Sequence, residues 1–374
     1  MAIYLDVKNN LNSSIWSSFS LINDQIFWPR KYKIGHVRAQ DDSYLTRLNA
    51  KALSLEHSNY DQVFVSSIKN VFVNNIGNLV SLDLSPLDEL ILFDSDQQSE
   101  NYLSMAHHPA KRDYLKTIEL DLAMPILRPG DHIYGHWLID ILPRLYLLRK
   151  IVDIRGIKIV VRHDIPKFAL SMLELMGVRD KDIVFFNPNT QNLKCKVAYY
   201  VTNLRKDQKI HPLIEDFSNW FKDIILDVPG RSYTINKDAK KIFISRSNWE
   251  KPSPRRVCVN ALSIEALLSS KGWKILHPQE LRLVEQVMYF ANAEIIFGEE
   301  GSGLHNSIFM EGDTNIVSMR NSKNLGMIQS GLCRSRNQTE NFIFGQGLPG
   351  EKLGREENFM VDINDTCDIV ESLA

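Results

Sequence analysis

The stretch Gly298-Glu299-Glu300-Gly301-Ser302-Gly303-Leu304-His305-Asn306 decides how this chain is read. Before it, Glu294-Ile295-Ile296-Phe297 is a short apolar run with strand character; after it, Asn306 to Met310 resumes an apolar pattern that opens a helix. Three glycines in six residues permit a tight turn and close approach of backbone to a ligand. A strand, a glycine turn and a helix start together favour an anion, because free amides and the helix dipole converge there. Glycines alone fit a plain strand-to-helix connection equally well, so the residues preceding the turn must decide.

Upstream, Val284, Val287, Met288 and Ala291 repeat at i, i+3, i+4 and i+7, which predicts an amphipathic helix leading into the strand. Lys241-Ile-Phe-Ile-Ser245 reads as a buried strand and is followed by Arg246-Ser247-Asn248. Arg255-Arg256 lies in a loop punctuated by Pro252 and Pro254, a setting more typical of a solvated face than of a phosphate clamp. Ser263 to Ser270 is helical with Gly272 as its stop, Trp273 to Leu276 is a strand, and Asn315 to Met319 is another. Strands alternating with helices at this rhythm predict an α/β doubly wound parallel sheet, in which ligands bind beyond the strand carboxyl ends. Both Arg246 and the glycine turn fall at such ends. Pro229-Gly230 and the charged residues up to 241 mark a boundary, giving domains 1–232 and 233–374.

The first part starts differently. Short strand-like runs at Val63-Phe-Val65, Val71-Phe-Val73, Leu79 to Leu82 and Leu90 to Phe93, with Asn and Gly between them, predict hairpins. Asp94-Ser-Asp96 follows the last run; two carboxylates so spaced can share a divalent cation, although Asp is also a turn former. In Gly135-His-Trp-Leu-Ile-Asp-Ile-Leu-Pro-Arg-Leu145, the residues Leu138, Ile141, Leu142 and Leu145 form a helical stripe. His136, Asp140 and Arg144, spaced by four, share another face. Pro143 should kink this helix unless it sits in the first turn. A carboxylate beside an imidazole suits deprotonation of a hydroxyl, whereas a plain Asp140–Arg144 surface pair would be worth only a few tenths of a kcal/mol. Ile157 to Val161, Phe168 to Met176 and Ile183 to Phe186 then read as strand, helix, strand, and Leu213 to Leu226 as a helix.

Composition narrows the class. The 374 residues are 44% hydrophobic and 24% charged, with 44 basic against 45 acidic side chains. That balance disfavours a protein whose task is coating nucleic acid. The four cysteines, Cys195, Cys258, Cys333 and Cys367, are far apart and read as reduced thiols, not as a zinc site. Asp6 and Lys8 break any apolar core near the start, so an export signal is not expected, and sequons such as Asn337-Gln-Thr are chance matches. No apolar run approaches the ~18 residues of a membrane span.

Four of these pieces resemble glycosyltransferase family 61: Lys241 to Asn248, Arg255-Arg256, Leu283-Val-Glu285-Gln286 and Gly298 to Asn306. His136-Trp-Leu-Ile-Asp-Ile-Leu-Pro-Arg-Leu145 is similar to that family's H-W-L-x-D-x-L-P-R-L element, and the resemblance extends over about residues 70 to 345. It implies a GT-B fold, two Rossmann-like domains facing a cleft, here with a β-rich start to the first. The first domain would serve the acceptor and the second the nucleotide sugar, with the extreme C-terminus packing back on the first. It further implies metal-independent, inverting transfer to a hydroxyl of a surface glycan, the donor first expected being a UDP-sugar and no cofactor being required. The residues implied are Asp140 as base with His136 next. For the donor they are Ser245, Arg246, Glu285, Glu300, Gly301, Ser302, Gly303, His305 and Asn306, with Arg144 and Arg256 in secondary or acceptor roles. An oligosaccharide or lipid-linked acceptor, the latter bringing peripheral membrane association at the inner face, implies a cytoplasmic enzyme with no nucleic-acid partner.

Two departures qualify the match. The family's G-x-H-G-A-G has Glu300 in place of its histidine and Ser302 in place of its alanine. A carboxylate would repel a diphosphate, so Glu300 is expected to accept from sugar or ribose hydroxyls, with His305 partly replacing the histidine. Glu300-Gly-Ser-Gly-Leu304 is also similar to the E-G-F-G-L of retaining GT-B enzymes, but their second glutamate, eight residues on, is Ile308 here. Two rivals stand beside this reading: a metal-dependent GT-A transferase using Asp94 and Asp96, and a non-catalytic sugar-nucleotide-binding scaffold.

Overall fold

The computed structural model describes residues 16–23, 30–39, 41, 43–56, 60, 62–80, 114–227, 239–247, 256–350 and 353–373. Asp94, Asp96, the run at Leu90 to Phe93, Pro229-Gly230, Asn248 and Arg255 lie outside these residues. The chain forms two compact units, Met1–Ile26 with Tyr60–Asp207, and Phe27–Asn59 with Gln208–Ala374. The units thus change at Asp207/Gln208, where the sequence placed its boundary at 232/233.

In the second unit five parallel strands lie in the order Lys274–Leu276, Lys241–Ile244, Ile295–Glu299, Asn315–Asn321, Thr339–Gly347. Counted along the chain this is 2-1-3-4-5, a doubly wound order whose switch point lies between the first and third strands. Those are the two strands whose carboxyl ends carry Arg246 and the glycine turn, in register with Ile244 opposite Gly298. The central strands are apolar on both sides because helices cover both faces. Phe243, Phe297, Val317 and Ile343 pack with Ile264 and Leu268 of helix Ala261–Ser270, and with Ile369 and Val370 of helix Ile363–Ser372. The C-terminal helix therefore closes the core of this unit. Strand Ile34–Arg38 also joins it, parallel to Thr339–Gly347, and so explains why residues 27–59 belong here.

The first unit holds a mixed seven-stranded sheet. Gln191–Val201, Lys116–Pro125, Lys158–Arg162 and Ile183–Phe186 are parallel neighbours in that order. Val63–Val73 pairs antiparallel with Gln191–Val201, and Trp16–Asn23 pairs antiparallel with Val63–Val73. The two runs read as separate strands at 63–65 and 71–73 are thus one strand, which turns back at Asn74–Asn78 onto Leu79–Val80. Helix Lys167–Leu175 and its stop at Gly177, φ +78°, match the pattern read from sequence.

The helix read over 135–145 is built in three parts: α-helical Tyr134–His136, a π-helical turn Trp137–Ile141, and α-helical Leu142–Ile151. Pro143 supplies the reason. It has no N–H, and its ring would clash with the carbonyl four residues back. A π turn relieves both, with Leu142 N–H bonding to Trp137 O, five residues back. Among the described residues no helix is long and apolar enough to cross a membrane, and no group of His, Cys, Asp and Glu is placed to hold a metal ion.

Candidate active site

The donor-side features gather at the switch point of the second unit. The backbone leaves strand Ile295–Glu299, makes one more pairing bond from Glu300 N–H to Met319 O (2.8 Å), and turns. Gly301 has φ +142°, and a Cβ there would lie 3.8 Å from Arg246 Nη1, so the guanidinium sits directly over this backbone. Gly303 closes the turn on Ile244, whose Cγ2 a Cβ would meet at 3.0 Å. The chain then enters a six-residue 3-10 helix, Leu304–Phe309, and not the α-helix expected, so no full helix dipole supports an anion here. The donors remain: the amides of Leu304, His305 and Asn306 bond back to Gly301, Ser302 and Gly303, while those of Gly301, Ser302 and Gly303 have no acceptor among the described residues.

Charge around the turn alternates. Arg246 is 21% exposed in its side chain and lies 3.5 Å from Glu299 Oε2, which also accepts from Cys258 N–H. Burial pulls the Arg246 pKa down, and Glu299 opposes that pull. Glu300 Oε2 accepts from Arg256 Nη1 and Asn324 Nδ2, each at 3.2 Å. Burial would raise the Glu300 pKa, yet the charges of Arg320, Arg256, His305 and Arg246 together hold it lowered, so it is a carboxylate at neutral pH. Oε1 of Glu300 has no partner among the described residues and remains an acceptor. Behind the turn, His305 Nδ1 lies 3.0 Å from Gln329 Oε1, and the buried Asn306 amide holds Gly303 O at 3.1 Å. These two fix the shape of the turn.

Several residues expected at the donor have partners within the protein. Ser245 is buried, its hydroxyl donating to Glu265 Oε1 at 2.5 Å and accepting from Ser247 N–H. Glu285 caps helix Leu283–Ala291: its carboxylate takes the Arg282 N–H at 2.9 Å and two guanidinium N–H groups. Ser302 is half-buried in the turn, its carbonyl accepting from His305 N–H.

In the first unit the His136–Asp140 pair forms as the spacing implied, with Nδ1 2.6 Å from Oδ2. Its surroundings were not anticipated. Asp140 is completely buried and is gripped by two arginines, Arg128 Nη1 at 2.6 Å from Oδ2 and Arg205 Nε at 2.6 Å from Oδ1. A second Arg205 nitrogen reaches Oδ2 at 3.1 Å, making the contact bidentate. Burial alone would raise the Asp140 pKa; Arg128 and Arg205 override it and hold the carboxyl far below its ordinary 3.8. Arg144 is buried and donates to the carbonyls of Val201 (3.2 Å) and Pro125 (3.4 Å), tying two strands together.

His136 is the member of the pair that reaches solvent, with its side chain 27% exposed. Since the carboxylate accepts at Nδ1, that nitrogen carries the proton and Nε2 presents a lone pair. Burial first, then the charges of Arg128 and Arg205, hold the imidazole pKa below 6.5 against the pull of Asp140, so the ring is neutral near pH 7. Gly130 makes room beside it: with φ +83°, a Cβ there would fall 2.7 Å from His136 Cδ2 and 3.0 Å from Nε2. The Pro-Gly pair of Arg128-Pro-Gly-Asp131 is the turn signal that could have drawn attention to this segment; nothing in the chain ties it to His136.

Residues 134–317 match the family model Glycosyltransferase 61. No curated protein matches the chain. The matched stretch contains His136, Asp140, Arg205, Arg246 and the glycine turn, whereas Arg128 and Gly130 precede it. The match over that stretch supports glycosyltransferase family 61 and, with it, a glycosyltransferase.

Proposed function

We propose that this protein is a GT-B-type, inverting glycosyltransferase. It moves a sugar from a nucleotide-sugar donor, a UDP-sugar in the first instance, to a hydroxyl of a surface glycan without a metal ion. The observation that carries the reading is the His136–Asp140 pair, with Nδ1 2.6 Å from the carboxylate and Nε2 without a hydrogen-bond partner among the described residues. The roles differ from those the resemblance implied. Asp140 has no exposed surface, so it orients and His136 is the base.

In this reaction Nε2 takes the proton of the acceptor hydroxyl while its oxygen attacks the anomeric carbon and the bond to the diphosphate breaks. A single in-line displacement inverts the anomeric centre. The leaving diphosphate gains charge, which the amides of Gly301, Ser302 and Gly303 and the Arg246 guanidinium meet. Glu300 is kept ionised by its arginine neighbours and accepts from sugar or ribose hydroxyls through Oε1. An oligosaccharide or a lipid-linked glycan fits as acceptor, the latter at the cytoplasmic face of a membrane.

Calorimetric titration with UDP, GDP and CMP, each with and without EDTA, tests the donor half. Tight binding of one nucleotide, unchanged by EDTA and lost in Arg246→Ala, is expected. Binding that requires metal and survives Arg246→Ala would overturn it.

A further inference from the structure

We propose that Arg128 and Arg205 are positioning residues of the transfer reaction. By gripping the Asp140 carboxylate from two sides, they lock the proton on His136 Nδ1 and keep the ring uncharged. The inference rests on His136 as the base and adds what makes it one. A carboxylate alone beside an imidazole has two effects that work against each other. It fixes the tautomer, but it also stabilises the imidazolium and so raises the pKa. A base that is already protonated accepts nothing.

The geometry separates the two effects. Asp140 Oδ2 accepts from the imidazole (2.6 Å) and is ion-paired with Arg128 Nη1 (2.6 Å), while Oδ1 accepts from Arg205 Nε (2.6 Å). One negative charge is thus shared by two fixed positive charges before the imidazole adds its demand. The groups facing His136 are Asp140 from its own helix, Arg128 from the turn after strand Lys116–Pro125, and Arg205 from the segment after strand Gln191–Val201. Asp140 pulls the imidazole pKa up; burial and both arginines push it down. Tautomer control stays, and the pKa rise that normally comes with it is opposed by both arginines on top of the larger push from burial. Arg205 is anchored for this task, its Nη1 donating to Asp207 O at 2.7 Å, so the fork cannot swing away from the carboxylate.

The test uses the whole protein with histidine labelled with ¹⁵N, and reads the pH dependence of transfer beside the His136 ring shifts. In the unaltered protein His136 should be the Nδ1–H tautomer and neutral at pH 7.5. Arg205→Met should move the acid limb of the rate profile, and the ring titration with it, upward by about one pH unit. Arg205→Lys, which keeps the charge but not the fork, should leave the limb in place and lower the rate several-fold. An Arg205→Met protein whose limb and ring titration stay put would overturn the inference while leaving His136 as the base. An unaltered protein whose ring at pH 7.5 is charged or protonated on Nε2 would overturn the inference and the base reading together, a result that needs no variant to fold. The base reading also fails if His136→Ala retains near-full turnover.

Discussion

Gly130→Ala tests the reading of His136 with the fewest assumptions. Gly130 has φ +83°, so any side chain carries the left-handed penalty of ~1–2 kcal/mol. For a unit of this size that lowers the melting midpoint by about 2–8 °C. The second effect is specific to the site. The new methyl would lie 2.7 Å from His136 Cδ2, where carbon atoms rest ~3.5–4.0 Å apart, so the ring must retreat by about 1 Å. A misplacement of that size costs a positioned base about 10²-fold in turnover. Gly156→Ala provides the control within the same unit: φ is +88°, but nothing lies within 4 Å of the added methyl. Both variants should melt earlier by similar amounts, and only Gly130→Ala should lose turnover. The assay is kcat for sugar transfer at saturating donor and acceptor, paired with calorimetric melting. A Gly130→Ala enzyme with unaltered kcat would refute the reasoning, because the position of Nε2 would then not matter.

Three further outcomes are expected from the same geometry. Glu285→Ala should cost about 1 kcal/mol, as loss of a helix cap does, with nucleotide affinity in calorimetry unchanged; weaker binding would return Glu285 to the donor site. Arg320→Met should destabilise the protein by roughly 3–5 kcal/mol in urea unfolding, because it strands Glu340, buried 2.6 Å away with Ser318 and Ser330 bonded to it. Joint replacement with Glu340→Gln should recover much of that, and failure to do so would mean the pair is not the source. Stability should also fall on acidification in two steps. The His136 pKa is lowered in the fold, so its contribution is present above 6.5 and is lost as pH drops below it. The Asp140 pKa is lowered from 3.8, so its contribution is lost only below that value. In His136→Gln the upper step should vanish from the pH dependence of the unfolding free energy; its persistence would assign the step to another group.

The parts of this fold that were legible in the sequence are those whose signal is local. Val284 to Ala291 shows its helix in one face, Ile295 to Phe297 its strand in one run, and the order of strands after 241 placed Arg246 and the glycine turn at carboxyl ends. Lys116–Pro125 and Gln191–Val201 were missed although they are the two central parallel strands of the first unit. Their Lys, Glu, Asp and Asn residues have poor strand propensity, and tertiary pairing overrides it.

The site divides along the same line. His136 and Asp140 meet because they are one helical repeat apart. Arg205 meets Asp140 across 65 residues, with no pattern in the chain to announce it. The spacing rule thus reaches only as far as one helix. Arg144, four residues further on, donates to the carbonyls of Val201 and Pro125, and the buried carboxylate is met by Arg128 and Arg205, which come from other segments of the first unit. Cations that close on an acid from distant parts of the chain leave no periodicity to read, so the charges behind the base become visible only once the sheet that carries them has formed.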